Sequence, residues 1–394
     1  MNLPFHPPPR DPRVDELLGE LPRDLFSDRL FDSCELVERY VSDLAVDAAR
    51  TLRIDEALTE AGTTAEVAER LSLTGEELPA LDWLLRRLAE SGELTRDPDD
   101  GRYRRDRPLR ESDTADLRAL GLASDESIRP TLAILEAAAE ALPGVLRGAT
   151  TGEQALFSGT RMQLWIDYFH NGNPIYALNN RIAAIALANR LRSGHNLRLL
   201  EAGAGAGSGA EALLDELARR DRLGDIIEYR LTEPNPLLRR RAVRAIGARF
   251  PGLPLVDQAF DVDIEAGHQG VEPGKYDAVL AVNVLHIAKD LRAALETAHS
   301  LLHPGGWLVA GECLRLLPGQ TIAIEMVFEQ LRSFTRVELD PEVRPAHGFL
   351  SPEDWRAALV ASGFADVTVV PDLERIRDHY ERFFTGAICG RRRH

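Results

Sequence analysis

The feature that most constrains the fold of this sequence is a set of alternating glycines between an apolar segment and a leucine-rich segment. Residues 197–200 are mostly apolar, as in a short buried strand, and Glu201 ends this run. The glycines follow at every second position: Gly203, Gly205, Gly207 and Gly209. Leucines then recur at helical spacing over residues 213–217. A strand, a glycine-rich turn and a helix form the first half of a βαβ unit, in which glycine lets the backbone approach a ligand closely.

The order of the acidic residue and the glycines separates two nucleotide-type ligands. The run Gly205-x-Gly207-x-x-Ala210 fits the fingerprint of dinucleotide binding, whereas Glu201-x-Gly203-x-Gly205-x-Gly207 fits the loop that binds S-adenosylmethionine (SAM). A pyrophosphate is anionic and is not helped by a preceding carboxylate, while SAM carries a sulfonium and an ammonium cation. The sequence therefore favours SAM over NAD, and a flexible glycine loop without a ligand is the third interpretation.

The composition of the 394-residue chain limits the kinds of molecule that it is expected to bind. Its formal net charge of −16 argues against a nucleic acid or an anionic membrane surface. Its three cysteines are far apart and match no metal or disulfide spacing, which predicts a reducing compartment. The first residues contain no apolar signal segment, and no apolar run has the length of a membrane-spanning helix. We therefore expect a free-standing cytoplasmic protein that acts on a small molecule.

The first quarter of the chain has the pattern of a winged helix. Residues 1–25 are rich in proline and charge, which predicts an extended arm. Helices are predicted near residues 31–53 and 75–91, and Asp100-Gly101 predicts the turn of a β-hairpin. This order of two helices and a hairpin predicts a winged-helix-like domain over residues 26–110.

The charge of this domain disfavours DNA reading. Glu76, Glu77 and Asp82 lie where a recognition helix would be basic. The domain is therefore predicted to serve packing and dimerisation, so that we expect a homodimer.

Residues 111–190 are predicted to form a helical linker that covers the active site. One helix is expected near residues 134–142 and another near 177–191. Polar and aromatic side chains around the start of the second helix are candidates for contact with the substrate: Tyr168, His170, Tyr176 and Asn179. The alternative is that the aromatic residues pack in the interior and expose a polar tip.

From residue 191 to residue 394 the pattern alternates between strands and helices. Strands are predicted at residues 197–201, 226–231, 255–260, 276–286, 307–313, 367–370 and 385–389. Because the central strands are apolar throughout, they are expected to be covered on both faces, as in a parallel sheet flanked by helices. The predicted fold class is therefore α/β, with a doubly wound sheet behind a mainly helical N-terminal domain.

In such a sheet ligands bind at the carboxyl ends of the strands, so the residues that end strands are informative. Glu233 ends the second predicted strand and can accept both hydroxyls of an adenosine ribose, a role that SAM and NAD share. Asp261 or Asp263, after the third strand, can accept from the adenine amino group, and Asp263 is favoured.

His286 ends the fourth predicted strand, and Glu312 ends the fifth. A histidine at this place is suited to act as a general base. If the two strands are neighbours, Glu312 is within reach of His286, where a carboxylate fixes the tautomer of the imidazole and increases its basicity. The alternatives are a histidine with a structural role and a glutamate that only lines the pocket.

Several segments together resemble class I SAM-dependent methyltransferases: residues 200–207, Glu233, Asp263-Ile264-Glu265 and residues 302–308. More narrowly, residues 283–291 read N-V-L-H-I-A-K-D-L and are similar to a segment of the C-methyltransferase domains of polyketide synthases. The resemblance extends over about residues 170–390. It implies a Rossmann-like, seven-stranded methyltransferase sheet, a His286–Glu312 dyad and a role in natural-product biosynthesis.

The residues and the resemblance together assign the contacts with SAM, the expected cofactor, to Glu201, Gly203, Gly205, Gly207, Glu233, Pro234, Asp263, Ile264 and Asn283. No metal is expected, because Asn283 and His286 do not supply the carboxylate cluster of metal-dependent relatives. Residues 314–348, with an amphipathic helix near residues 322–334, are expected to form one wall of the substrate pocket. The candidates on this wall are Phe328, Arg332 and Phe334.

The expected reaction is methylation of an acidic carbon next to a thioester or a ketone, with His286 as the general base. Methylation of a phenol or hydroxyl is the alternative, because the winged-helix-like start resembles stand-alone O-methyltransferases. Those enzymes usually read H-D-W where this chain has His286-Ile287-Ala288. A SAM-binding regulator without activity and an NAD-dependent dehydrogenase are the further alternatives.

Overall fold

The computed structural model describes residues 5–73, 78–159, 161–194 and 196–393, and the chain falls into two compact units. We name them the helical unit, which contains Met1–Pro9, Asp28–Tyr168 and Leu317–Thr335, and the sheet unit, which contains Arg10–Ser27, Phe169–Leu316 and Arg336–His394. This division differs from the domains expected from the sequence. Residues 111–168 and 317–335 join the N-terminal helices, whereas residues 169–190 join the sheet.

The elements follow one another in the expected alternation. The helices are α1 Arg13–Leu17, α2 Asp28–Leu52, α3 Ile54–Ala57, α4 Thr64–Arg70, α5 Leu78–Glu90, α6 Thr114–Ser124, α7 Arg129–Leu146, α8 Gly152–Leu156, α9 Met162–Tyr168, α10 Pro174–Arg190, α11 Ser208–Arg219, α12 Pro236–Arg249, α13 Leu291–Leu301, α14 Glu325–Phe328, α15 Arg332–Thr335, α16 Pro352–Ala361 and α17 Leu373–Ile376. The strands are β1 Thr95–Arg96, β2 Tyr103–Arg104, β3 Leu197–Ala202, β4 Ile226–Thr232, β5 Leu255–Gln258, β6 Tyr276–Val282, β7 Leu302–Cys313, β8 Phe364–Val370 and β9 Thr385–Arg392.

The helical unit contains the predicted succession of helices and a hairpin. The long helix α2 packs against α5, α6 and α7. Thr63 caps α4 through a reciprocal pair of hydrogen bonds with Glu66, which satisfies free N–H groups at the start of the helix. Strands β1 and β2 pair antiparallel. Glu76 and Glu77, on which the argument against DNA reading partly rests, lie outside the described residues.

The single amphipathic helix expected near residues 322–334 is divided into α14 and α15. The expectation was wrong because the segment has no exposed face at its start: residues 321–327 are all buried. The buried carboxylate of Glu325 also accepts a hydrogen bond from the Ile322 backbone N–H at 2.9 Å, which favours a turn over a continuous helix.

The sheet unit is built on seven strands in the order β5-β4-β3-β6-β7-β9-β8. The first five strands run parallel, and β9 is antiparallel to both β7 and β8. Strands β3 and β6 are buried along almost their whole length, as expected for a sheet covered on both faces. The α/β fold class and the seven strands predicted from the sequence are confirmed.

The strand order determines where a ligand-binding crevice can form at the edge of the sheet. After β3 the chain moves outward to β4 and β5, and it then returns to place β6 on the other side of β3. A crevice opens at the carboxyl ends of the strands where the winding direction changes, here at β3 and β6. Among the described residues, none of the helices has the length and hydropathy required to span a bilayer.

Candidate active site

The glycine loop after β3 has a backbone that only glycine adopts without strain. Gly203, Gly205 and Gly207 all have positive φ angles, of 63°, 53° and 97°. A Cβ atom on Gly203 would lie 2.5 Å from Cγ2 of Val284, and one on Gly207 would lie 3.1 Å from the Ala242 Cβ. The loop therefore lies directly against the end of β6 and against α12.

Glu201 supports this loop from the end of β3. Its side chain is 2% exposed, and it accepts hydrogen bonds from the Tyr229 hydroxyl at 3.0 Å and from the Ala210 backbone N–H. Gly209 is so close that a Cβ atom there would lie 2.5 Å from Oε1 of Glu201. Burial raises the pKa of Glu201 to about 7. The groups that hold this carboxylate thus belong to the protein itself, and direct contact with the cofactor cations stays a prediction.

Glu233, at the end of β4, connects the loop to the adenosine side of the crevice. Its two carboxylate oxygens accept from the backbone N–H groups of Gly205, at 2.9 Å, and Asn235, at 2.8 Å. Burial raises the pKa of Glu233. Each oxygen keeps a second acceptor position, and the space next to Gly205 is open. These residues therefore fit a ligand with ribose hydroxyls, and Pro234 is exposed beside them.

The turn after β5 contains the predicted adenine contacts. Oδ1 of Asp263 accepts from the Lys289 backbone N–H at 2.7 Å, and burial raises the pKa of Asp263. Asp261 accepts from the Asp263 backbone N–H at 3.0 Å, and Ile264 is 46% exposed. Asp263 therefore also fixes the segment that follows His286, a function that sequence reasoning missed because Lys289 is distant in sequence.

Asn283 lies at the end of β6 in a left-handed conformation, with a φ angle of 54°. Its side chain accepts from Nδ2 of Asn179 at 2.7 Å and is hydrogen-bonded to Tyr176, which also bonds to Ser208. Burial raises the pKa of Tyr176 to about 12. The structure thus brings two of the predicted cover residues, Tyr176 and Asn179, together with Asn283 next to the glycine loop.

His286 and Glu312 form a buried pair at the ends of two neighbouring strands. Nδ1 of His286 lies 2.6 Å from Oε2 of Glu312, and the two side chains are 3% and 0% exposed. Oε1 of Glu312 accepts from the backbone N–H groups of Leu285, at 2.9 Å, and Val284, at 3.3 Å. The ring of Phe349 lies 5.1 Å from the imidazole. One carboxylate therefore holds both the side chain of His286 and the backbone turn that carries it.

Arg344 contacts the same turn and was not anticipated from the sequence. Its NH1 donates to the carbonyl oxygen of Ala288 at 2.7 Å, and its NH2 donates to the carbonyl oxygen of His286. It is 1% exposed, and burial lowers its pKa to about 10. No local sequence motif marks this arginine, because its partners are backbone atoms 56 and 58 residues away.

The remaining predicted substrate residues belong to other segments of the chain. Nδ1 of His170 accepts from the backbone N–H of Gly172 at 2.9 Å, and this histidine lines an open groove beside α10 and α11. Tyr168, Phe328, Arg332 and Phe334 belong to the helical unit. There Phe334 is fully buried and stacks on Phe328, with ring centroids 5.4 Å apart. Phe334 is therefore a core residue of that unit.

The chain is similar in sequence to a known domain family and to known proteins. The methyltransferase domain family matches residues 200–308. The chain is 29% identical over 250 residues to the polyketide synthase PksM of Bacillus subtilis, which covers 62% of the chain and 6% of that protein. It is 28% identical over 344 residues to the non-reducing polyketide synthase dpmpA of Macrophomina phaseolina, which covers 84% of the chain and 15% of that protein. The chain thus spans only a small part of these relatives.

Solved structures support the same fold. The CurJ carbon methyltransferase matches with a TM-score of 0.77 at 23% identity, over 97% of both chains. The CMeT domain of the citrinin polyketide synthase matches with a TM-score of 0.70 at 17% identity, over 94% of this chain and 97% of that domain. A third match, to the trans-methyltransferase CalH in complex with S-adenosylhomocysteine (SAH), has a TM-score of 0.61 at 19% identity, over 90% of both chains.

The glycine loop lies in the segment, residues 200–308, that matches the methyltransferase domain family, and the chain shares its fold with solved methyltransferases, as the resemblance in the sequence implied. SAM is its cofactor, which sets aside the dinucleotide interpretation of the loop. Within this class the chain is similar to the carbon-methyltransferase domains of polyketide synthases.

Proposed function

We propose that this methyltransferase transfers a methyl group to an acidic carbon of a polyketide-type intermediate, with His286 as the general base. The observation that carries the proposal is the buried pair of His286 and Glu312 at the strand ends beside the glycine loop. Two solved structures with a similar fold, CurJ and DszA, are carbon methyltransferases, which supports carbon over oxygen as the acceptor.

The geometry of the pair supports Nε2 of His286 as the nitrogen that acts. Glu312 faces Nδ1, so the proton on the neutral imidazole is held at Nδ1 and the lone pair is at Nε2. Nε2 accepts the proton from the substrate carbon, and the imidazolium that forms is stabilised by the carboxylate. Because both side chains are buried, water competes poorly for this proton.

The remaining residues hold the reactants in place. When bound, SAM supplies an electrophilic methyl group on its sulfonium. The glycine loop and the spare acceptor positions of Glu233 would hold the cofactor at the ends of β3 and β4. A carbanion at the substrate carbon, with its charge spread onto the adjacent carbonyl oxygens, would accept this methyl group, with SAH as the leaving group. In-line positioning of carbanion and methyl supplies much of the rate.

The substrate that fits this chemistry is a carbon flanked by a ketone and a thioester, either free or attached to a carrier protein. Tyr176 and Asn179 are the cover residues that we propose for the substrate side, since both are bonded to Asn283 beside the loop. Dimerisation through the N-terminal helices and a cytoplasmic location stay predictions.

The test uses deuterium exchange to separate proton removal from methyl transfer. A β-ketoacyl thioester is incubated in D₂O with the enzyme and SAH, and loss of the α-hydrogen is followed by mass spectrometry. His286→Ala is expected to lose both exchange and methylation by about 10²–10⁴-fold. Its SAH affinity, measured by calorimetry, should stay within about threefold of the wild type, because His286 is not part of the loop.

A matched control is available at the opposite end of the same strands. His303 also faces a carboxylate, with Nε2 3.0 Å from Oδ1 of Asp277, but both lie at the start of β7 and β6. His303→Ala should retain exchange and methylation. Wild-type turnover in His286→Ala would contradict the proposal, and a product methylated at oxygen, identified by NMR, would favour the alternative of O-methylation.

A further inference from the structure

Arg344 is a buried arginine whose observed bonds go to the turn that carries His286. NH1 and NH2 donate to the carbonyl oxygens of Ala288 and His286, on either side of Ile287. Its own position is fixed by a tight turn, in which the Arg344 N–H donates to the Asp340 carbonyl at 2.7 Å. Asp340 is in turn held by Arg292, whose Nε lies 2.7 Å from Oδ2. These hydrogen bonds hold the guanidinium in place against the two carbonyl oxygens.

The charge of Arg344 is unusual for its surroundings. Among the described residues, no carboxylate lies within salt-bridge distance of the guanidinium, although the side chain is only 1% exposed. The negative charges that act on it are those of Glu312 and Asp263, through space. Burying a cation without a paired anion is costly, and two neutral carbonyl acceptors offset only part of that cost. A cation kept at such a place needs a reason beyond holding a turn.

We propose that Arg344 is a positioning residue for His286 that also keeps its imidazole neutral. The two hydrogen bonds fix the turn, so that the ring stays aligned with Glu312. The positive charge opposes protonation of the imidazole, which Glu312 on its own would promote. The inference rests on the proposed role of His286 as the base.

Other charged groups surround the turn, and most of them are carboxylates whose negative charge Arg344 offsets. Glu312 approaches from β7, and Asp263 approaches from the turn after β5 with Asp261 beside it. Lys289, at the end of the turn, is the nearby cation that acts on Asp263. Without Arg344, the turn is left with an excess of negative charge, which stabilises a protonated, inactive histidine.

The experiment compares the pH dependence of kcat in Arg344→Met, which is neutral, and Arg344→Lys, which keeps a cation. The matched control is Arg222→Met. Arg222 is also buried and donates to three backbone carbonyls, of Ala188, Leu191 and Arg192, but it pairs with Asp225 rather than with the turn of His286. Circular dichroism and SAH calorimetry establish that each variant is folded and binds cofactor.

In Arg344→Met the acid limb of the kcat profile should move up by about one pH unit, because the opposing charge is gone. kcat at its optimum should fall roughly 10- to 100-fold, because the turn is less well fixed. Arg344→Lys should keep the limb within about 0.3 unit of the wild type while kcat still falls, since one amine does not reproduce the two-carbonyl contact. The control variant should show no movement of the limb.

An acid limb at the wild-type position in Arg344→Met, or an equal movement in Arg222→Met, would overturn the inference. If Arg344→Met does not fold, Arg344→Gln is used in its place, because it is neutral and still donates to a carbonyl. The same movement of the acid limb is expected for this variant. A separate result would contradict the proposed function. If His286→Ala is active, His286 is not the base. If His286→Ala is inactive and the acid limb does not move in Arg344→Met, only the proposed role of Arg344 is contradicted.

Discussion

Two buried glutamates near the carboxyl ends of strands in the same sheet differ in their hydrogen-bond partners. Glu201 lies near the end of β3 and Glu312 near the end of β7, with β6 between the two strands, and both residues are at most 2% exposed. Each accepts at least one backbone N–H and one side-chain donor. For Glu201 that donor is the neutral hydroxyl of Tyr229, whereas for Glu312 it is the imidazole of His286, with the charge of Arg344 nearby.

The two glutamates are similarly buried but differ in their hydrogen-bond donors, and we infer that these donors determine the role of each carboxylate. Glu201 has Glu233 as its neighbouring charge and a pKa of about 7, so it serves to hold the glycine loop. Glu312 has a titratable partner on one oxygen and two backbone N–H groups on the other, which suits a pair that handles a proton.

The largest effect is expected at the loop that Glu201 supports. In Gly203→Val the side chain would occupy the space of Val284, at a φ angle that valine does not tolerate. SAH affinity measured by calorimetry should fall by at least about 100-fold, which corresponds to about 3 kcal/mol. Gly224→Val, at a glycine with open space and ordinary φ, is the control. Equal affinity in both variants would show that the loop does not need this close approach.

The second effect concerns the other carboxylate. In Glu312→Gln the amide can donate to Nδ1, so the imidazole hydrogen moves to Nε2 and the base is lost. kcat should fall by at least about 100-fold, with SAH affinity almost unchanged. Rate measurements at several pH values check this, and Glu312→Asp should recover part of the rate. A variant with normal turnover would reduce Glu312 to a packing residue.

A third effect is expected for Glu201→Gln, and it appears in the dependence of stability on pH. The folded carboxyl has a pKa of about 7, above its ordinary value of 4.5, so it binds a proton that the unfolded chain releases. This stabilisation is complete below about pH 4.5 and is lost as the pH rises to about 7, by on the order of 3 kcal/mol. The glutamine variant lacks this slope.

Urea unfolding at pH 5, 6, 7 and 8 measures the difference. The free energy of unfolding of Glu201→Gln should rise relative to the wild type across this range, because only the wild type loses a proton-linked term. Parallel curves for the two proteins would show that the Glu201 carboxyl does not titrate in this window. They would also remove the contrast with Glu312.

The sheet was predictable from the sequence because its signals are local. Buried parallel strands are continuously apolar, and the glycines mark the one turn that must come close to other backbone. The pairing of His286 with Glu312 was predictable for a related reason: His286 follows β6, Glu312 lies near the end of β7, and the two strands are neighbours in the sheet. The order of the elements along the chain is enough to predict both features.

The parts that were not predicted depend on contacts distant in sequence. The split between α14 and α15 follows from burial of residues 321–327 within the helical unit, which no periodicity reveals. Arg344 binds backbone carbonyls, and a carbonyl carries no sequence signature. Likewise, the partners of Glu201, the Tyr229 hydroxyl and the Ala210 backbone N–H, come from β4 and α11, and no local pattern indicated them.

The contact between Gly203 and Val284 has a consequence for engineering. Val284 packs against the glycine loop through its side chain, while its backbone N–H is bound by Glu312. The glycine loop and the turn that carries His286 therefore adjoin, and they have to be transplanted together. A chimera that exchanges residues 203–209 alone would inherit a loop shaped for another enzyme's valine, and a working graft must also carry residues 283–288.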